Sequence, residues 1–346
     1  MKTNEKINVR EIPLCMICHD EGTLLYQNLK DCLYASQGTW DIKHCPKCGL
    51  AWLSPRPFCE DVKNLYNEYH THNNPGIMPF QQFALLRNTL YRVVLAAYFG
   101  YSNLVKNKVE KIAGSILSRV GLLRDPVGGS VMWLKALTGG KLLDVGCGNG
   151  KFLTKMRKLG WDVTGVEPDG QAVKLAREHF GLNIHEGVIE GTGFTDNSFD
   201  AITMSHVLEH VWDPISTLRE CYRLLKPSGK LVIVTPNINS LGHRLFGKAW
   251  RGLEAPRHLY IFSPKALKIC IEQANFHILK LRTTAYLARG IYNHSSMIKQ
   301  NDACFGLSLS KLSFWTKTKG LFFQLLQYVL CQFNDVGEEI VLIATK

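Results

Sequence analysis

From residue 141 onward the hydrophobic positions alternate between two rhythms. Residues 141–147 form a short apolar run after two glycines, the pattern of a strand buried on both faces. Behind it Phe152, Leu153, Met156 and Leu159 recur at three- and four-residue spacing and predict a helix. The pair of rhythms then repeats. A strand over 162–167 precedes a helix lined by Ala172, Val173, Ala176 and Phe180. Strands follow over 183–187, 199–207 and 230–235, with a helix over 214–226 between the last two. A helix over 264–275 and strands over 278–283 and 338–345 complete the tail. Strands separated by helices of this length predict an α/β fold with a doubly wound, mostly parallel sheet.

The chain before this region reads differently. Residues 13–59 are rich in cysteine and turn residues and end in Ser54-Pro55-Arg56-Pro57. From there to 138 the pattern is helical, with Leu85, Leu86, Leu90, Val93, Val94 and Ala97 on one stripe and Val109, Ile112, Ile116 and Val120 on another. Asp125-Pro126-Val127-Gly128-Gly129 is expected to be a loop within it. The expected domains are therefore an N-terminal module over 1–60, a helical insert over 61–138 and the α/β domain over 139–346. Residues 286–337 show only an amphipathic segment over 312–333. No uncharged apolar run reaches the roughly 18 residues that cross a bilayer.

A 346-residue chain with 46% hydrophobic and 20% charged residues is globular rather than disordered, and no repeat or low-complexity tract interrupts it. The formal charge of +12 favours acidic partners: nucleic acid, phosphorylated small molecules or an anionic membrane surface. Much of the excess lies in Arg87, Arg92, Lys106, Lys108, Lys111 and Arg119 and in Lys311, Lys317 and Lys319; a solvated basic face accounts for it equally well. Residues 1–10 lack an apolar signal segment, so the expected location is cytoplasmic, with peripheral contact at the inner face of the membrane as an extension.

In a reducing compartment paired cysteines are metal candidates before they are disulfides. Cys15-Met16-Ile17-Cys18 and Cys45-Pro46-Lys47-Cys48 are two Cys-x-x-Cys knuckles, a spacing that brings two thiolates each to one tetrahedral ion. Four thiolates leave no open position, so the expected zinc is structural. Metal-free thiols and an iron site compete with this reading. His19, Cys32, His44 and Cys59 are spare candidates.

The sequence Leu142-Leu143-Asp144-Val145-Gly146-Cys147-Gly148-Asn149-Gly150 puts a glycine turn at the end of the first α/β strand, where open sheets bind ligands. The next strand ends in Glu167, positioned to accept hydrogen bonds from ribose hydroxyls. The spacing is G-x-G-x-G, one residue short of the dinucleotide fingerprint. This turn resembles motif I of class I S-adenosylmethionine-dependent methyltransferases. The likeness extends through Asn197-Ser198-Phe199-Asp200-Ala201-Ile202, Ser205-His206-Val207-Leu208-Glu209-His210-Val211 and Leu224-Leu225-Lys226-Pro227-Ser228-Gly229-Lys230, covering about 140–285. It implies a seven-stranded Rossmann-like sheet and S-adenosylmethionine held by Asp144, Gly146, Cys147, Gly148, Asn149, Gly150, Glu167, Ser205 and His206. The acidic residue common after the third strand of relatives has no counterpart in Glu186-Gly187-Val188-Ile189-Glu190, so the main chain of Val188 and Ile189 is expected to meet the adenine. Cys147 is expected to be a small turn residue rather than a nucleophile.

At the acceptor side, His210 is the preferred base, with Glu209 beside it and His206 assigned to cofactor packing. Trp250-Arg251-Gly252-Leu253-Glu254-Ala255-Pro256-Arg257-His258-Leu259 supplies a second base candidate, His258, and Arg257 as a partner for a phosphate or carboxylate. Hydrogen bonds that merely hold the loop are the competing role for both. The Pro-Arg-His-Leu segment and the Cys knuckles together resemble bacterial methyltransferases of surface-polysaccharide and glycolipid biosynthesis. That resemblance implies a small-molecule acceptor containing a sugar or a lipid, and oxygen is the expected acceptor atom. An RNA methyltransferase and a non-catalytic cofactor-binding module are the alternatives; Thr235-Pro236-Asn237 shows no Pro-Pro-Tyr signature of amino-methylating nucleic-acid enzymes.

Overall fold

The computed structural model describes residues 8–34, 36–58, 89–301 and 312–346. Leu85, Leu86, Arg87, Cys59 and Lys311 lie outside them.

Five short strands come first: β1 (Val9–Arg10), β2 (Thr23–Leu29), β3 (Trp40–His44), β4 (Ala51–Leu53) and β5 (Arg56–Pro57). Three helices follow, α1 (Thr89–Phe99), α2 (Lys108–Leu117) and α3 (Gly121–Gly129). The α/β region then runs β6 (Lys141–Val145), α4 (Lys151–Lys158), β7 (Asp162–Glu167), α5 (Gly170–Phe180), β8 (Asn183–Glu186), β9 (Phe199–Ser205), α6 (Pro214–Leu224) and β10 (Leu225–Pro236). It ends with α7 (Leu241–Phe246), β11 (Tyr260–Ile261), α8 (Pro264–Gln273), β12 (His277–Thr284), α9 (Ala288–Asn301), α10 (Phe314–Leu330) and β13 (Glu339–Thr345).

The main sheet has seven strands in the order β12-β13-β10-β9-β6-β7-β8. Strands β10, β9, β6, β7 and β8 pair in parallel, and β13 runs antiparallel between β10 and β12. The helix starts are built locally. Asp213 accepts from the N–H groups of Ile215 and Ser216 with Pro214 behind it, and Ser263 caps α8 ahead of Pro264. These devices place α6 and α8, whose buried faces include Leu218, Cys221, Leu267 and Ile271, against the sheet core.

The N-terminal strands share that core. Trp40, Ile42, Leu50 and Trp52 are at most 2% exposed and cluster with Leu143, Ile202 and Ile233 of the main sheet. Their own sheet, β11-β4-β3-β2, is completed by Tyr260 and Ile261, which pair antiparallel with Trp52 and Ala51. The opposite face of the main sheet is covered by α1 and α3, with Val94, Phe99 and Trp133 packed on Leu142, Leu153 and Val163.

One expectation is corrected. Residues 125–129, expected as a loop, lie in α3, although Pro126 removes one main-chain donor there. Tertiary contacts override the local signal: Asp125 receives both guanidinium nitrogens of Arg282 at 2.9 and 3.0 Å, and Gly128 lies so close to the Trp133 indole that a Cβ would fall 2.5 Å from its nitrogen. The stripe Val109, Ile112, Ile116 forms on α2 as expected but faces solvent, with exposures of 74%, 63% and 61%. The amphipathic segment is α10, whose Phe314, Trp315 and Phe322 are likewise 69–75% exposed. Among the described residues no helix is long and apolar enough to cross a membrane.

Candidate active site

The glycine turn joins β6 to α4 at the C-terminal edge of the parallel strands. Gly146 has φ +69° and Gly150 +76°, and a Cβ on either would lie 2.4 Å from Val207 or Leu182 respectively. Side chains are therefore excluded at these two positions of the turn, whose left-handed backbone favours glycine. Glu167, at the end of β7, braces it: Oε2 accepts the Gly148 N–H at 2.7 Å and Oε1 the Asp169 N–H at 3.0 Å. Burial raises its carboxyl, and these two N–H groups oppose the rise. Each oxygen retains a lone pair for a ribose hydroxyl.

Asp144 is buried beneath the turn with Oδ1 accepting from the Thr203 hydroxyl at 2.6 Å. Burial pushes it up to about 7, with Thr203 opposing and the Glu167 charge adding. Cys147 is 8% exposed, and burial followed by the charges of Asp144 and Glu167 pushes its thiol well up, as befits a packing residue. Asn149 is half-buried on the turn, Ile189 is buried at the start of a short turn of helix, and Val188 beside it is 59% exposed. A turn that requires glycine at 146 and 150, next to the Glu167 carboxylate, suits the main-chain and ribose contacts of S-adenosylmethionine.

Ser205 and His206 are exposed at the end of β9. His206 bridges two carboxylates, with Nδ1 3.2 Å from Glu209 Oε1 and Nε2 2.8 Å from Glu339 Oε1. Desolvation would depress this imidazole, but the two hydrogen bonds and charges lift it to about 10, so it is a cation at neutral pH. Glu209 is fully buried. Desolvation would raise it, yet His206 holds it down at about 2, and its Oε2 also accepts from the Thr235 hydroxyl at 2.9 Å.

Glu209 joins the crevice to the segment after α7, because its main-chain carbonyl receives the Leu259 N–H at 2.8 Å and the Tyr260 N–H at 3.2 Å. The two remaining histidines meet there with ring centroids 4.7 Å apart. His210 Nδ1 lies 3.0 Å from Arg257 O, and His258 Nδ1 lies 2.8 Å from Gly252 O. Burial depresses His258 to about 4, more than the Glu254 carboxylate, 3.5 Å from its Nε2, restores. Ligand-type atoms of Glu209, His210 and His258 all lie within 4.8 Å of one another, so proton transfer and ion binding are both within this cluster's chemistry.

Of the two roles open to Arg257, a partner for an acceptor phosphate or carboxylate and a brace for the loop, the geometry favours the second: its guanidinium is fully buried and bidentate on Asp31 at 2.6 and 2.8 Å, with Glu254 at 3.3 Å. Asp31, Thr203, Thr235, Glu254 and Glu339 all escaped the sequence reading. Only Glu254, four residues before His258, and Glu339, a charge opening an apolar terminal strand, carried a local signal.

At the N-terminal module the Sγ atoms of Cys15, Cys18, Cys45 and Cys48 lie within 4.8 Å of one another, and Cys15 and Cys48 are 3.6 Å apart. A tetrahedron with Zn–S of about 2.3 Å has an edge of roughly 3.8 Å. Each knuckle closes with a main-chain bond, His19 N–H to Cys15 O and Gly49 N–H to Cys45 O, both 2.9 Å. The Cys15 thiol is lowered to about 5, first by its bond with Cys48, against burial, and then by the N–H groups of Cys18 and Ile17. The donor set fits a closed, structural zinc. His19, His44 and Cys32 are not among the clustered ligands.

Residues 123–281 match a family described as a methyltransferase domain. The ubiquinone biosynthesis O-methyltransferase of Xanthomonas oryzae pv. oryzae is 42% identical over 112 residues, covering 29% of this chain and 45% of the relative. That of Xanthomonas campestris pv. campestris is 39% identical over 108 residues, 30% and 45%. The chain thus spans less than half the length of the curated relatives it matches. Among solved structures, a methyltransferase from Archaeoglobus fulgidus is similar at 24% identity and TM-score 0.41, covering 60% of this chain and 86% of that one. An S-adenosylmethionine-dependent methyltransferase from Mesorhizobium loti is similar at 15% identity and TM-score 0.44, covering 64% and 97%. The domain match takes in the glycine turn, Glu167 and the β9 motif, so residues 123–281 are similar to a methyltransferase domain.

Proposed function

We propose that the chain methylates an oxygen of a small-molecule acceptor that contains a sugar or a lipid, and that it works in peripheral contact with a membrane. The observation that carries this reading is the double role of Glu209, which holds His206 at the mouth of the crevice and, through its carbonyl, the segment bearing His258. Cofactor side and acceptor side are one hydrogen-bonded construction. When bound, S-adenosylmethionine supplies an electrophilic methyl on a sulfonium, and the residues placed to hold it are the turn 146–150, Glu167, Asp144, Ser205, His206 and the main chain of Val188 and Ile189.

His210 is the proposed base. Its Nδ1 faces a carbonyl, which assigns the proton there and leaves Nε2 as the basic nitrogen. His210 Nε2 would take the proton of the acceptor hydroxyl as its oxygen bonds to the methyl carbon, the carbon–sulfur bond breaks and the electron pair leaves with the neutral thioether. His258, neutral at pH 7, orients the His210 ring rather than titrating. His206, already a cation, cannot take a proton and serves to hold Glu209.

Support for oxygen comes from the O-methyltransferase relatives, and support for a lipid surface from the exposed stripes of α2 and α10. Radiolabelled S-adenosylmethionine offered with lipid-linked glycan extract and with total RNA tests the proposal. Label should enter the glycan fraction, and His210→Asn should slow transfer by about 100-fold or more while cofactor affinity is kept. Label in RNA alone would contradict the small-molecule reading.

A further inference from the structure

A cleft of about 410 Å³ opens between the β2–β3 loop of the N-terminal module, residues 246–255 and the end of α9. Its charged lining is one-sided: Lys30 from the module, Lys248 and Arg251 from the segment after α7, and Lys299 from α9, against the single carboxylate of Glu254. Glu254 is already compensated, with Arg251 at 2.5 Å and Arg257 at 3.3 Å. Among the described residues Lys30, Lys248 and Lys299 have no ion-pair partner. Phe246 and Leu33 provide an apolar wall beside them.

We infer that this cleft is the anion-holding end of the acceptor site and takes a phosphate or diphosphate group borne by the acceptor. The cations arrive from three separate parts of the chain, so no one solvated helix face explains them. Their excess is well beyond the single charge of a carboxylate and matches the multiple charge of a diphosphate. Glu254 is shared, lining the cleft and lying 3.5 Å from Nε2 of His258, the ring that packs on the proposed base His210. The zinc module is then more than a stabilising attachment, because it supplies Lys30 and one wall.

The inference rests on the methyl-transfer reading for its meaning but is tested by binding alone. Inorganic pyrophosphate titrated into the zinc-loaded full chain should bind, and the affinity should fall with added salt. Lys30→Ala combined with Lys248→Ala should weaken it by about tenfold or more, with S-adenosylmethionine affinity unchanged. No pyrophosphate binding, or equal binding by the double variant, would overturn the site while leaving methyl transfer standing. Uridine diphosphate and farnesyl diphosphate identify what carries the phosphate. Whichever binds more tightly than pyrophosphate assigns the apolar wall to a nucleoside or to a prenyl chain, and either result supports the site.

Discussion

Arg257 and Asp31 stand 226 residues apart in sequence and meet as a bidentate pair with both side chains at 0% exposure. One comes from the segment that carries His258 and the other from the loop that carries Lys30, so this pair fixes the N-terminal module against the segment after α7. Desolvation would raise Asp31, but the hydrogen bonds and charge of Arg257 hold it below the usual carboxylate range.

Asp31→Asn leaves the Arg257 guanidinium buried with less compensation and is expected to lower stability by about 3 kcal/mol. The double variant Asp31→Leu with Arg257→Met should recover much of that loss, since a buried ion pair is often replaceable by packed apolar groups. Urea denaturation of the natural chain, Asp31→Asn and the double variant checks it; a double variant less stable than Asp31→Asn would contradict the pairing.

His206 is raised from its ordinary value of 6.5 to about 10. Its contribution is therefore complete below pH 6.5 and disappears as pH rises through 10. His206→Gln should be less stable than the natural chain at pH 6, by about 2 kcal/mol given that the ring is 39% exposed, and the gap should close by pH 11. Denaturation of both proteins across that range reads the gap, and a constant gap would mean that His206 is not charged.

Removing one thiolate opens a tetrahedral site. Cys45→Ser should lose zinc under dialysis against a chelator and should also loosen the neighbouring core, because Trp40 and Trp52 pack with residues of the main sheet. Metal analysis with tryptophan fluorescence follows both; full zinc content in the variant would sink the four-cysteine site.

Helix α10 carries Phe314, Trp315, Phe322 and Val329 exposed, with Lys317 and Lys319 among them and no acidic residue in the helix. It should bind vesicles containing anionic lipid more tightly than zwitterionic ones, and Trp315→Glu with Phe322→Glu should abolish sedimentation with them. Equal sedimentation of the variant would remove α10 from the account.

The sheet was legible because alternating apolar strands and amphipathic helices give a parallel arrangement few alternatives, and each strand of the main sheet appears within a few residues of its expected place except β10. That strand begins at Leu225 rather than 230, because Leu225 pairs with Phe199 ahead of an irregularity in register. The glycine turn and Glu167 were legible because their spacing encodes a local geometry. Asp31 was not, since nothing in a turn-rich loop announces a partner on the far side of the chain. Nor was the two-residue strand β11, whose place is set by the edge of β4 rather than by its own pattern. The exposed faces of α2 and α10 show the converse: periodicity reveals a helix but not what covers its apolar stripe.

The central claim is that the crevice at Gly146–Gly150 and Glu167 binds S-adenosylmethionine. Calorimetric titration of the zinc-loaded chain with S-adenosylmethionine, and separately with NAD, tests it most directly. Selective binding of S-adenosylmethionine, weakened by about tenfold or more in Glu167→Ala, is the predicted result. Absence of binding, or an affinity indifferent to Glu167, would contradict the placement of the site.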